Sequence, residues 1–120
     1  MPRRPRPSER HAVGARGEAL AAEHLRALGY TIVTRNFRSR RGEIDLVALD
    51  GELLVFVEVK LRASTTRRPE EAVDGIKTRR LVAAAEDYLA QIGEPNRRTR
   101  FDLIAIDPDG VRHYPGGVQP

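Results

Sequence analysis

The segment of residues 42–60 constrains this chain most, because it predicts a β-hairpin that carries charged residues among apolar ones. Asp50-Gly51 separates two alternating apolar runs, and this dipeptide is typical of a two-residue hairpin turn with positive φ at both central residues. With this turn, the predicted cross-strand pairs are Leu49 with Glu52, Asp45 with Phe56 and Glu43 with Glu58.

The charged side chains of both strands fall on one face of this hairpin. Side chains alternate between faces with a period of two, so Asp45, Glu58 and Lys60 lie together, with Glu43 beside them. Clustered carboxylates repel one another and lose hydration, and a fold tolerates them when a cation lies between them. Carboxylates and a backbone carbonyl such as that of Val59 suit Mg²⁺ or Mn²⁺. The pattern therefore predicts an oxygen-liganded metal site, with an amine beside it to hold or deprotonate a metal-bound water.

A second interpretation of these residues needs no metal. Glu58 and Lys60 can belong to an ordinary cross-strand charge network on the solvated face of a hairpin, and Glu-x-Lys triplets are abundant. The matching position of Asp45 within a strongly apolar hairpin favours the metal site.

Composition narrows the classes of protein that this chain can belong to. It has 120 residues, 40% of them hydrophobic, which suits one domain with a single core. The chain has no cysteine, which excludes disulfides and thiolate zinc sites. The three histidines do not have the spacing of metal ligands, so any metal should be bound by oxygen. No apolar run approaches the ~18 residues of a membrane span, and the Arg/Pro-rich start lacks a secretory signal. We expect a cytoplasmic protein with a disordered basic arm at residues 1–11 and a folded domain at residues 12–116.

Lysine is rare in this chain, although basic residues are not. The net charge is +4, and of the 21 lysine and arginine residues only Lys60 and Lys77 are lysines. A GC-rich genome that replaces exposed lysine by arginine explains the bias. Arginine is effectively always protonated, whereas burial lowers the pKa of a lysine, so a catalytic lysine resists this replacement. The survival of Lys60 supports a chemical role for it.

The predicted elements follow the order α-β-β-β-α-β with a short trailing edge strand. The helices run from about Val13 to Leu28 and from near Asp74 to Gly93; the strands cover residues 30–36, 42–50, 52–61, 101–107 and 111–114. A strand, a helix and a returning strand favour a parallel, right-handed crossover. We therefore predict a single-domain α/β fold with a mixed sheet.

Three charged residues lie on apolar faces outside the hairpin. Glu18 falls on the apolar stripe of the first helix, where it can pair with an arginine or join the acidic cluster. Lys77 lies on the core side of the second helix, and we expect its ammonium to extend to solvent rather than to reach the sheet. Asp102 is predicted to be structural, with an arginine partner.

Arginines concentrate in the two loops that flank the predicted metal site. A guanidinium matches phosphate oxygens bidentately, and such contacts bind a nucleic-acid backbone without reading its sequence. A solvated charged surface is the alternative. The predicted nucleic-acid-binding residues are Arg38, Arg40, Arg41 and Arg62, and Arg35, Arg67 and Arg68 lie in or beside the same loops.

Asp45 followed by Glu58-Val59-Lys60 on the adjacent strand resembles the PD-(D/E)xK nuclease superfamily. Five motifs in order over about residues 13–106 resemble, more specifically, the YraN-like family of uncharacterised bacterial proteins, which is similar in fold to archaeal Holliday-junction resolvases. Those motifs are Gly17-Glu18, Asn36-Phe37-Arg38, Gly42-Glu43-Ile44-Asp45-Leu46, Phe56-Val57-Glu58-Val59-Lys60 and Arg100-Phe101-Asp102. Two departures are Ile44, which stands in place of the proline of the motif, a proline that the superfamily often lacks, and the loop after Lys60, which lacks the expected Phe-Gly before Pro69.

The resemblance implies a restriction-endonuclease-like fold and an Mg²⁺- or Mn²⁺-dependent DNA endonuclease that acts on branched or damaged DNA. It implies Asp45, Glu58 and Glu18 as metal ligands, catalysis by Lys60, and Glu43 next to the ligands. It also implies a homodimer, since two symmetric cuts need two sites. Two alternatives stay open: a nucleic-acid-binding module that no longer cuts, and a protein-interaction domain whose carboxylates meet a basic partner.

Overall fold

The fold, given by a computed structural model that describes residues 7–62 and 75–119, agrees with the predicted order of elements. These residues form α1 (Pro7–Ala27), β1 (Thr31–Ser39), β2 (Gly42–Asp50), β3 (Leu53–Leu61), α2 (Gly75–Gln91), β4 (Thr99–Asp107) and β5 (Gly110–Tyr114). The α/β class and the α-β-β-β-α-β core with a trailing strand are confirmed. Arg67, Arg68 and the predicted helix cap Asp74 lie outside the described residues.

The five strands form one mixed sheet in the order β1-β2-β3-β4-β5. β3 and β4 pair in parallel, as the crossover through α2 predicts, and every other neighbouring pair is antiparallel. The inner strands β2, β3 and β4 are rich in buried residues, whereas β1 at the edge is largely exposed. Residues at the ends of β2 and β3 are therefore held by a rigid sheet.

The two helices cover opposite faces of the sheet. Leu81, Ala84 and Tyr88 of α2 pack in one core cluster with Val47 and Phe56. Ala21, Ala22 and Leu25 of α1 pack in a second cluster with Leu46 and Val57. Because burial of apolar surface drives folding, this double cover explains why β2 and β3 read as nearly continuous apolar runs.

The turn between β2 and β3 differs from the predicted one. Asp50 pairs with Leu53 and Leu49 with Leu54, so the loop is Gly51-Glu52 and the predicted pairs are wrong. Gly51 has a φ of 61°, whereas Glu52 has no positive φ. A hairpin turn with positive φ at its first central residue alone favours glycine there. The register moves by an even number of residues, so the change of turn by itself moves no side chain to the other face.

β2 bends at Asp45. Strict alternation would place Ile44 in the same core cluster as Leu46, but Ile44 packs in the α2 cluster and Leu46 in the α1 cluster. On the neighbouring strand Asn36 has a φ of 55°, which is uncommon for a residue other than glycine. The pairs on either side, Arg35 with Leu46 and Phe37 with Ile44, remain aligned. The bend therefore falls at the residue that carries the candidate ligand.

Two glycines let the helices approach the strand ends closely. A Cβ on Gly42 would overlap the backbone carbonyl oxygen of Arg80, so α2 contacts the start of β2 directly. A Cβ on Gly17 would lie 2.8 Å from Cδ2 of Leu61, so α1 packs against the end of β3. Glu18 follows Gly17, and this packing brings it towards the end of the sheet that holds Lys60.

The element bounds differ from the predicted ones in places. α1 begins at Pro7 rather than near Val13, and proline suits a helix start because the first amide groups have no partner within the helix. β1 continues past Asn36 to Ser39. None of the helices in the described part of the chain is long and apolar enough to cross a membrane.

Candidate metal centre

Asp45 lies where the backbone pairing between β2 and β3 ends. The last paired residues are Leu46 and Val57, which makes Asp45 and Glu58 the next residue on each strand. Oδ2 of Asp45 accepts a hydrogen bond of 2.7 Å from the backbone amide of Val59. The Asp45 carboxylate thus accepts the amide hydrogen bond that a backbone carbonyl would accept in a regular strand pair. This bond holds the carboxylate next to Glu58.

Glu58 is the second carboxylate of the site, and it is only 8% exposed. Its Oε1 accepts a hydrogen bond of 2.9 Å from Nζ of Lys77, in the first turn of α2. The prediction that Lys77 extends to solvent rather than to the sheet is therefore wrong. The Glu58 carboxylate explains the outcome, because a charge-assisted hydrogen bond to a carboxylate is stronger than one between neutral groups.

The proximity of the two carboxylates makes the charged form of Asp45 less favourable. Burial, followed by the negative charge of Glu58, raises the pKa of Asp45 to about 7, while the hydrogen bond from Val59 acts in the opposite direction. The charges of Glu18 and Glu43 raise it further by smaller amounts. Asp45 therefore lies in surroundings that are short of positive charge, which a divalent cation would supply.

Lys60 and Lys77 have pKa values shifted in opposite directions. Burial lowers the pKa of Lys60, and the neighbouring charge of Lys77 lowers it again. Burial also acts to lower the pKa of Lys77, but its hydrogen bond to Glu58 and the charge of that carboxylate outweigh this and raise it. Lys77 is thus the amine that keeps its proton, and Lys60 is the better proton acceptor.

Glu18 and Glu43 lie at the margin of the site. Glu18 is half-buried, and its negative charge is among the smaller causes that raise the pKa of Asp45. Glu43 is exposed and lies 3.5 Å from Nε of Arg38. Within residues 7–62 and 75–119, no three His, Cys, Asp or Glu side chains are grouped to hold a metal ion. The centre is therefore a pair, Asp45 and Glu58, with Glu18 nearby rather than in contact with both.

The predicted nucleic-acid-binding arginines differ in how strongly they are engaged. Arg41 donates from Nη2 to Oδ1 of Asp87 at 2.6 Å, from Nε to both of its oxygens at 3.2 Å, and from Nη2 to the carbonyl of Ala83 at 3.2 Å. Arg40 is exposed, and Arg62 is half-buried at the end of β3. Arg41 thus attaches the β1–β2 turn to α2 instead of facing solvent alone.

Asp102 forms a separate polar cluster on the α1 face of the sheet. Asp102 is fully buried. It accepts hydrogen bonds from the Arg100 guanidinium at 2.7 and 2.9 Å and from the Gly116 amide at 2.9 Å. Its Oδ2 also lies 2.8 Å from Nε2 of His113. Burial opposes the charge, but the bonds from His113, Arg100 and Gly116 lower the pKa of Asp102 to about 2. The predicted arginine partner is confirmed. The histidines also meet, since His24 packs edge-on against His113 at 5.3 Å, which their spacing did not indicate.

A cavity of about 680 Å³ lies at the β2–β3 turn, away from the carboxylate pair. Its lining residues are Asp50, Glu52, Leu53, Arg97 and Arg98. None of the candidate ligands contributes to that lining. The carboxylate pair at the strand ends is therefore separate from this cavity.

The sequence predicted that Asp45, Glu58 and Lys60 lie together, but it did not place Lys77 beside them. The scarcity of lysine was the available signal, since both lysines of the chain meet there. The position of Lys77 on the core side of α2 pointed the same way. What the sequence lacked was the distance from α2 to the end of β3.

Comparison with known proteins assigns the chain to a family. The model of the uncharacterised protein family UPF0102 matches residues 17–106. A UPF0102 protein of Anaeromyxobacter dehalogenans is 50% identical over 111 residues, which cover 88% of this chain and 83% of that protein. One from Chlorobaculum tepidum is 47% identical over 108 residues, 85% of this chain and 84% of that protein. One from Symbiobacterium thermophilum is 52% identical over 99 residues, 80% and 82% of the two chains. The chain thus belongs to the UPF0102 family, the YraN family, as its five ordered motifs predicted.

Proposed function

We propose that this protein is a divalent-metal-dependent DNA endonuclease that hydrolyses phosphodiester bonds. One observation carries the proposal: Asp45 and Glu58, from two strands, meet beside Lys60 in surroundings that raise the pKa of Asp45 to about 7. A carboxylate pair so short of positive charge favours a hard divalent cation. The reaction, phosphodiester hydrolysis, is inferred from the resemblance of the motifs to PD-(D/E)xK nucleases, because the name of the UPF0102 family states no activity.

The donor set fits Mg²⁺ or Mn²⁺. The carboxylates of Asp45 and Glu58 would hold the ion, with Glu18 acting through a water and the Val59 carbonyl as a further oxygen donor. Mg²⁺ usually keeps several of its waters when it binds a protein, so two close carboxylates are enough to hold it. When bound, the cation would polarise the phosphodiester and stabilise charge on the leaving oxygen.

Lys60 would hold and deprotonate the attacking water. Its lowered pKa increases the share of neutral amine, which is the form that accepts a proton. Arg38 and Arg40, both exposed near the start of β2, would bind phosphates of the DNA backbone without reading sequence. Branched or damaged DNA as substrate, and a homodimer with two sites, extend the proposal from the resemblance to Holliday-junction resolvases.

The test is cleavage of branched, nicked and linear DNA in Mg²⁺ or EDTA by the wild-type protein and by Lys60→Ala. We expect Mg²⁺-dependent cleavage that Lys60→Ala abolishes, with folding and DNA binding largely unchanged. Arg79→Ala, which removes one positive charge from the exposed side of α2, is the matched control and should cleave as the wild type does. Equal activity of Lys60→Ala would remove Lys60 from the mechanism.

A second candidate is a nucleic-acid-binding module on the same fold that does not cut. The observation in its favour is that the described residues offer two close carboxylates and no group of three metal-binding side chains. Titration with Mn²⁺, followed by incubation with the same three DNA substrates, separates the candidates. Mn²⁺ binding without cleavage of any substrate would favour the binding module.

A further inference from the structure

Both lysines of the chain meet at the carboxylate pair, although they come from different elements. Lys60 is near the end of β3, and Lys77 is in the first turn of α2. Each lies close enough to shift the pKa of the other. The motif contains only the first of them, so the role of Lys77 needs an explanation of its own.

The ion pair between Lys77 and Glu58 is built asymmetrically. Nζ lies 2.9 Å from Oε1, and the Glu58 side chain is 11% exposed while the Lys77 side chain is 45% exposed. The carboxylate is held by the sheet, and the amine reaches it from the solvent side on a flexible stem. Lys77 can therefore move from Glu58 towards solvent by rotation of its stem, whereas Glu58 is held in place.

The charges of the site balance only in part without a divalent cation. Lys77 neutralises Glu58, while Asp45 accepts its hydrogen bond from a neutral backbone amide. A divalent cation between the two carboxylates would bring its positive charge close to the ammonium of Lys77, and these charges repel. The ion and the ammonium would therefore compete for the Glu58 carboxylate.

We propose that Lys77 is a built-in counterion of Glu58, which competes with the divalent cation and is displaced from the carboxylate when the cation binds. This inference rests on the proposed function, because it assumes that Asp45 and Glu58 hold the metal. Lys77 is a positioning residue: it keeps Glu58 aimed across from Asp45 in the metal-free protein. The displaced amine then faces solvent at the site, where a DNA phosphate would lie.

A purely structural role makes a different prediction. If Lys77 only links α2 to β3, its loss weakens the fold and leaves Glu58 less well positioned, so Mn²⁺ binding should weaken or stay unchanged. Competition predicts tighter binding, since Mn²⁺ no longer has to displace a charge. The sign of the change in affinity therefore separates the two roles.

The experiment is calorimetric titration of the full chain with Mn²⁺ for the wild type, Lys77→Met, Lys77→Arg and Arg79→Met. Lys77→Met keeps the length of the side chain and removes its charge, and we expect Mn²⁺ affinity to rise by about tenfold, one pKa unit of charge interaction. Lys77→Arg keeps the charge and should stay near the wild type. Arg79→Met changes net charge equally, from the exposed side of the same helix, and should also stay near the wild type.

A second measurement guards against a folding artefact. In EDTA, Lys77→Met should melt below the wild type, because Glu58 loses its counterion, and Mn²⁺ should raise its melting temperature more than that of the wild type. Equal or weaker Mn²⁺ affinity in Lys77→Met overturns the role of Lys77 and leaves the metal site intact. Failure of every variant, the wild type included, to bind Mn²⁺ overturns the metal site itself and this inference with it.

Discussion

Oδ2 of Asp45 accepts a 2.7 Å hydrogen bond from the backbone amide of Val59, the residue between Glu58 and Lys60. This bond joins β2 to β3 just beyond their last backbone pair, Leu46 with Val57. It also fixes a carboxylate close to a second one, and burial together with the charge of Glu58 raises the pKa of Asp45 to about 7. The fold therefore carries an electrostatic cost at this position, and that cost can be measured.

The metal-free protein should lose stability as the pH rises from about 4 to about 7. The pKa of Asp45 rises from 3.8 in the unfolded chain to about 7 in the folded one, so the folded state binds the proton more tightly. This stabilisation is complete below pH 4 and is lost as the pH passes 7. The measurement is the free energy of unfolding by urea in EDTA at pH 5 and pH 8.

Asp45→Asn is the control for this pH dependence. It keeps an acceptor for the Val59 amide but has no charge to repel Glu58, so its free energy of unfolding at pH 8 should exceed that of the wild type by roughly 1–3 kcal/mol. It should also bind Mn²⁺ more weakly. An Asp45→Asn variant with the wild-type pH slope would assign the slope to another group.

Asp102 should be the most sensitive charged residue of the described fold outside the Asp45–Glu58 pair. Asp102→Ala leaves Arg100 and His113 without their buried acceptor, and we expect a loss of about 3–5 kcal/mol in the free energy of unfolding. Asp109→Ala removes a carboxylate that is 70% exposed and should change stability by no more than about 0.5 kcal/mol. Urea unfolding at pH 7 of both variants makes the comparison.

The pH range of the Asp102 contribution is opposite to that of Asp45. The hydrogen bonds from His113, Arg100 and Gly116 overcome burial and lower the pKa of Asp102 to about 2. Its stabilisation is therefore complete above pH 4 and is lost as the pH falls towards 2. If Asp102→Ala and the wild type lose stability equally over that range, the acid sensitivity comes from other carboxylates.

The sequence predicted the fold and the face of the charged residues, because both depend on periodicity. Alternation places Asp45, Glu58 and Lys60 together whether the loop is Asp50-Gly51 or Gly51-Glu52, since the two registers differ by an even number of residues. The predicted turn is wrong because the same glycine suits two turns. Gly51 can be the second residue of an Asp50-Gly51 turn or the first residue of a Gly51-Glu52 turn. Local sequence does not separate these types.

The position of Lys77 and the bend at Asp45 could not be predicted in this way. Whether the ammonium of Lys77 reaches the sheet depends on the distance between α2 and the sheet. Gly42 allows a short distance, because it has no Cβ to overlap the Arg80 backbone. The bend lies opposite Asn36 of the neighbouring strand, which has a positive φ. Both are long-range relations that the period of a single strand does not contain.

Gly42→Ala should disturb the site from outside it. The new Cβ would overlap the backbone carbonyl of Arg80, and because backbone cannot rotate away, α2 must shift; we expect a loss of about 1–3 kcal/mol in stability. Lys77 moves with α2, so the Lys77–Glu58 pair should weaken as well. Gly75→Ala is the control, since its Cβ would meet no atom of residues 7–62 and 75–119 within 4 Å and its φ is not positive. Thermal unfolding of both variants gives the difference, and equal melting temperatures would mean that α2 does not pack so closely on β2.

Arg41 should contribute less to DNA binding than its neighbour Arg40, although the two are adjacent in the same arginine-rich turn. Arg41 is committed to α2 by three hydrogen bonds to the Asp87 carboxylate and one to the Ala83 carbonyl, whereas Arg40 is exposed. Arg40→Ala should weaken binding to all DNA sequences alike and reduce the slope of log affinity against log salt by about one.

The same titration, by fluorescence anisotropy at several salt concentrations, should show a smaller effect for Arg41→Ala. Asp87→Ala supplies the converse test, because it removes the carboxylate that holds Arg41 and makes the guanidinium available to a phosphate. Its DNA affinity should rise and its salt slope steepen. An Arg41→Ala variant that loses as much affinity as Arg40→Ala, with no gain in Asp87→Ala, would show that the Asp87 contact does not keep Arg41 from DNA.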